Sequence, residues 1–175
     1  MEYAIECMCT HRGERFQLAF ARRAVEVLPE DEWTRYEPSR KGLKVLAETE
    51  LALERPIARL HEVYGNAVRI GPPTVRYQPG KPLQEPHMGL RVTCPPDCFE
   101  ALRADLQMRR AVIVDAEPGT QLGILRATAP LGRLIGYPAS VAALTAARAK
   151  LVMWLSHHAP IEEPRQRKTA AARRG

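Results

Sequence analysis

The chain predicts an α+β fold of two ferredoxin-like domains in tandem, each a four-stranded antiparallel sheet with two helices on one face. Three observations predict it. Residues 3–77 and residues 87–157 each read as strand, helix, two strands, helix, strand. Between them, residues 78–86 hold three prolines and a glycine, the composition of a linker. A length of 175 residues with a 45 % hydrophobic share suits one large or two small soluble domains.

In the first unit, residues 3–9 alternate, with Tyr3, Ile5, Cys7 and Cys9 set against Ala4, Glu6 and Met8, the period of a strand. Residues 13–28 follow as a helix with Phe16, Ala19, Phe20, Ala24 and Val27 on one apolar face. Pro29 ends it, because proline cannot continue the hydrogen-bond ladder. Residues 33–37 and 43–47 predict a hairpin with residues 38–42 as its turn. Thr49 is placed to N-cap a second helix that runs to Tyr64 and stops at Gly65. Pro56 inside that helix predicts a kink, and residues 68–77 close the unit, interrupted by Gly71-Pro72-Pro73.

The second unit repeats the order. Residues 87–94 are a strand, residues 95–97 a turn, and residues 98–110 a helix with Phe99, Leu102 and Leu106 inward. Residues 111–116 and 122–128 form a hairpin around Glu117-Pro118-Gly119-Thr120. Pro138 opens a short helix to Thr145, in the first turn where its missing N–H costs nothing. Residues 148–157 are the last strand. The expected organisation is a domain at 1–77, a linker at 78–86, a domain at 87–160 and a basic disordered tail at 161–175.

Of the formal charge of +6, residues 165–175 supply five positive charges and no acid, leaving about +1 for the rest. Such a tail attracts polyanions, or is a solvated terminus. The first residues lack a positive region followed by an apolar one, and no apolar run approaches a membrane span, so a cytoplasmic protein without membrane contact is expected. Cys7, Cys9, Cys94 and Cys98 give C-x-C and C-x3-C spacings rather than the paired C-x2-C of zinc ribbons. Buried thiols are expected, with no metal and no cofactor.

Four pieces carry a resemblance: Glu85-Pro86-His87-Met88, Asp105-Leu106-Gln107-Met108-Arg109-Arg110, Gly136-Tyr137 and Ser156-His157-His158. In that order they resemble the last domain of translation elongation factor G and related ribosomal GTPases, whose members read EPxM, DLxxRRG, GYxxxLRSxTxGR and SHY. The first half resembles the third domain of the same family. There Ala47-Glu48-Thr49-Glu50-Leu51-Ala52-Leu53-Glu54 stands for GMGELHLE, and Gly71, Pro73, Val75 and Tyr77 match VGxPxVxYRE. The nine-residue linker replaces the long domain that the family inserts between the two.

The departures matter as much. Ala47, Thr49 and Ala52 replace two glycines and a histidine, in a region that lies against the GTPase switch elements in the family. RRG has become Arg109-Arg110-Ala111. Residues 141–148 keep only Thr145 and Arg148 of the loop that the family holds near ribosomal RNA. No Gly-Lys-Ser or Gly-Lys-Thr occurs, so neither binding nor hydrolysis of GTP is expected of these residues.

The resemblance implies a non-enzymatic, translation-related binding protein that engages the ribosome at the factor-binding centre, or a translational GTPase. The alternative is a regulatory or scaffold module that kept the fold and left the ribosome; an enzyme using Cys94, Cys98 and His157 would rest on residue types alone. The expected RNA contacts are Arg109, Arg110, Thr145 and Arg148, read as one exposed tip, with Arg165, Arg167 and Lys168 in the tail. Both arginines of the 109–110 pair also suit a helix C-terminus. Trp154 is expected on the open face of its sheet, either to stack on a base or, as a short linker favours, to pack against the other domain. The residues leave oligomeric state undetermined.

Overall fold

The computed structural model describes residues 2–161. The first domain runs β1 (Ile5–His11), α1 (Gln17–Val27), β2 (Thr34–Ser39), β3 (Gly42–Ala47), α2 (Glu50–Tyr64), β4 (Val68–Ile70) and β5 (Thr74–Val75). Its sheet has the order β2-β3-β1-β4, with β5 also paired to β1, all antiparallel. The second domain runs β6 (Gln84–Cys94), α3 (Phe99–Met108), β7 (Val112–Glu117), β8 (Gly123–Pro130), α4 (Leu131–Leu134), α5 (Tyr137–Thr145) and β9 (Lys150–Pro160). Its order is β7-β8-β6-β9. In both, the first strand sits inside the sheet between the third and the last, the split βαβ arrangement expected of two ferredoxin-like domains.

Each core lies between sheet and helices. Ile5, Cys7 and Cys9 of β1 face Phe20, Ala21 and Ala24 of α1 and Leu53 and Leu60 of α2, all fully or almost fully buried. In the second domain Met88, Leu90 and Val92 of β6 face Leu102 and Leu106 of α3.

Several local expectations shift for stated reasons. Phe16 stays 69 % exposed, because α1 starts at Gln17 rather than at the expected Gly13; Ala21 within it and Leu28 at its C-cap are buried instead. Pro38 lies within β2 rather than in the turn; β2 is an edge strand, where a missing N–H leaves no ladder bond unmade. α2 keeps its expected extent to Tyr64 with Pro56 inside it, and the Thr49 side chain caps its start by accepting from the Ala52 N–H. β6 begins at Gln84 and so takes in the last three residues of the expected linker, because β9 runs on to Pro160 and supplies their partners. The four-residue α4 was not expected; Leu131 and Leu134 anchor it in the core. Among the described residues no helix is long and apolar enough to cross a membrane.

Candidate nucleic-acid interface

The predicted tip does not form. Arg109 follows the last turn of α3, but its guanidinium points inward and is 20 % exposed. It donates to Asp105 Oδ2 at 2.9 Å, to the Arg133 and Ile135 carbonyls at 3.1 and 3.4 Å, and to Ser140 Oγ at 2.8 Å. It also lies 5.1 Å from the Tyr137 ring centre, a cation–π distance. Arg109 therefore ties α3 to the α4–α5 connection, with four hydrogen bonds already made within the domain.

Arg148 sits at the opposite end of α3. It holds Asp97, in the turn before that helix, through contacts of 2.6 and 3.3 Å, and its Nε donates to the Thr145 carbonyl. Asp97 is held below the usual carboxylate range by its hydrogen bond to Arg148. A ten-residue helix rises about 15 Å, so Arg148 and the 109–110 pair cannot share one tip. Thr145 is 1 % exposed; its hydroxyl donates to the Val141 carbonyl at 2.7 Å and accepts from the Ala149 N–H. It closes the C-terminus of α5 instead of facing a ligand.

Arg110 differs from all three. It takes the left-handed position after α3, at φ +55°, where helices usually place glycine. Its side chain is exposed. Arg133 lies beside it, donating to the Arg110 carbonyl at 3.2 Å. Neither forms an ion pair among the described residues. Together with His87, Thr128 and Glu85 they border a concavity of about 260 Å³ on the open side of the second sheet. Arg133 was missed by sequence reasoning, since an isolated arginine between two leucines carries no motif. Arg165, Arg167 and Lys168 lie outside the described residues.

The same open face carries Trp154. Cross-strand register places it in a row with Gly89, Thr128 and Val112. The indole rests on Gly89, where a Cβ would meet it at 2.4 Å, and stays 44 % exposed. One step along the sheet the His87 and His157 rings stack at 5.0 Å. The favoured expectation, Trp154 packed on the other domain, gives way to this placement over Gly89.

The polar contacts between the domains include carboxylates at the start of α2 and in the turn before it, and Glu2, whose Oε2 lies 3.6 Å from His158 Nδ1. Glu50 Oε2 accepts from the Gly136 N–H at 2.8 Å, and Glu48 Oε1 from the Leu155 N–H at 3.1 Å. Gly136 adopts φ +76°, which glycine tolerates and which opens α5 with its N–H available to the other domain. The four cysteines are buried and unbridged. A hydrogen bond with Cys7, together with burial, pushes the Cys9 thiol up, and burial raises Cys94. No group of three or more His, Cys, Asp or Glu among the described residues is arranged to hold a metal ion.

Residues 82–169, half of the chain, match the family described as elongation factor G C-terminus. Elongation factor G of Fervidobacterium nodosum is 37 % identical over 81 residues, covering 46 % of this chain and 12 % of that protein. The same factor from Ureaplasma urealyticum is 32 % identical over 91 residues, covering 52 % and 13 %. The matched stretch thus spans about an eighth of these relatives. A crystal structure of a Thermus thermophilus protein superposes at TM-score 0.65 and 17 % identity, covering 92 % of this chain and 41 % of that one, which supports the fold alone.

Proposed function

The chain belongs to the elongation factor G C-terminus family, and from that premise we propose that it is a binding protein of translation that docks on ribosomal RNA at the factor-binding centre. The observation that carries the reading is Arg110. It is an arginine of the matched DLxxRR motif, it is exposed, and it forms no ion pair among the described residues. Arg133 beside it doubles the positive charge, and the arginines and lysine of the tail add a polyanion-attracting arm. The chain acts by docking rather than by chemistry, with a translational GTPase as the other partner this reading admits.

A specific observation favours the scaffold alternative: Arg109, Thr145 and Arg148 direct their polar groups to partners within the domain. Ribosome cosedimentation separates the two. The intact chain is expected to pellet with ribosomes at low salt. Arg110→Ala should weaken that binding and lower its salt dependence by about one unit, the share of a single arginine–phosphate pair. Failure of the intact chain to pellet even at low salt would leave the scaffold reading.

A further inference from the structure

We propose that the open face of the second sheet binds single-stranded RNA, with an unpaired base stacked on Trp154. The inference rests on the translational reading only for the choice of RNA; the face itself carries the rest. Stacking needs an aromatic surface that is fixed and uncovered. Trp154 is held by its seat on Gly89, a position where any side chain would displace the ring, since an added Cβ would stand 2.4 Å from indole Cε2. It nevertheless remains 44 % exposed.

The charges around it suit a polyanion. Arg91 lies two residues along β6 from Gly89, on the same face and about 7 Å away. Lys150 occupies the same face of β9. Neither forms an ion pair among the described residues, and the Arg110–Arg133 concavity lies on the other side of the Trp154 row. Opposing charge is confined to two places. Asp115 and Glu117 both engage Arg126, which offsets one of the two carboxylate charges, and Glu85 borders the concavity. A base on Trp154 would thus have cations at one backbone step in either direction. Across the sheet, three interstrand spacings from Trp154 to Val112 give a platform about 14 Å wide. That is room for two or three nucleotides.

The first domain meets the second through the start of α2 and the turn before it, against Gly136 and the Leu155 N–H, through β5 against α4, and through Glu2 beside His158. Those contacts lie at the helix layer and the sheet edge, so the open face keeps its access with both domains in place.

The test uses the full chain with Trp33→Phe, so that Trp154 is the one remaining tryptophan. Titration with a mixed-sequence RNA octamer should quench its fluorescence, and a duplex of the same sequence should bind much more weakly. Trp154→Ala, followed by fluorescence anisotropy of labelled octamer, should weaken affinity by on the order of tenfold or more, while Trp154→Phe restores most of it. Gly89→Ala should weaken it too, although it removes no atom that could touch RNA. Circular dichroism melting of each variant controls for folding. Equal affinity for octamer and duplex, or a Trp154→Ala variant that melts normally and binds as before, would overturn the proposal. Ribosome cosedimentation of the same variants keeps the readings apart: pelleting that depends on Arg110 can persist after octamer binding has gone.

Discussion

The two domains share one strand order and treat their polar groups in opposite ways. On the open face of the first sheet most charges are held in ion pairs: Lys44 and Arg76 share Glu6, at 3.4 and 3.5 Å, and Arg35 pairs with Glu37, while Arg69 opposite Thr10 has no ion pair among the described residues. On the open face of the second, Arg91 and Lys150 stand without ion pairs, among the described residues, beside an exposed indole. The turns differ as well. In the first domain the left-handed positions are glycines, Gly42 and Gly65, whereas in the second Arg110, Ala146 and Ala147 adopt φ of +49° to +59°. The first domain has more of its open-face charges in ion pairs and supplies carboxylates that dock its neighbour. The second holds strain and uncompensated charge. Strain persists only where surrounding structure over-determines it, and such places are where binding sites are usually found.

The largest expected effect tests this contrast directly. Arg109→Ala removes four hydrogen bonds and leaves Asp105, itself 16 % exposed, without its partner. A loss of roughly 3 kcal/mol is expected in urea unfolding. Lys44→Ala in the first sheet, which removes a partly exposed pair, should cost about 0–1 kcal/mol. Equal costs would remove the contrast.

A smaller effect should change sign between the domains. The Tyr36 hydroxyl donates to the Pro29 carbonyl at 2.9 Å and shares a hydrogen bond with Thr34 Oγ1. The Tyr137 hydroxyl is buried without a partner among the described residues, and burial pushes its ionisation up. Tyr36→Phe should therefore destabilise by about 1 kcal/mol, and Tyr137→Phe should stabilise by a similar amount. Thermal melting of the two variants reads both signs; destabilisation by both would show that the Tyr137 hydroxyl is satisfied in solution.

The smallest effect concerns a turn. Ala147 stands where the resembled motif has glycine, yet keeps the left-handed backbone at φ +59°. Ala147→Gly should stabilise by up to about 1 kcal/mol, and Gly65→Ala, in open space but at φ +54° and ψ −134°, should cost about 1–3 kcal/mol. Denaturant midpoints that move the other way would show that the second domain stores no strain there.

Secondary structure and strand order were legible in the chain because they depend on local rules. Alternation in residues 3–9, the Thr49 cap, the stop at Gly65 and Pro138 in a first turn each act within a few residues. The family motifs were legible for the same reason, being contiguous. Trp154 on the open face followed from strand parity alone, but its seat did not, since Gly89 is a partner from another strand. Residues 141–148 keep only Thr145 and Arg148 of the resembled motif, and only the structure shows their contacts: one caps α5 and the other fastens the turn before α3.

By itself, then, the sequence determined two split βαβ domains, their core faces and the family they resemble, all from periodicity and short motifs. Only the tertiary structure decided which arginine is available. Arg109 and Arg110 are neighbours of identical chemistry, and nothing local separates them. The difference lies in where a helix ends and what folds back onto it: Asp105, Ser140 and two carbonyls of the α4–α5 connection converge on one guanidinium. A left-handed residue turns the other outward. Those partners lie up to 31 residues away in the chain, and only packing brings them together.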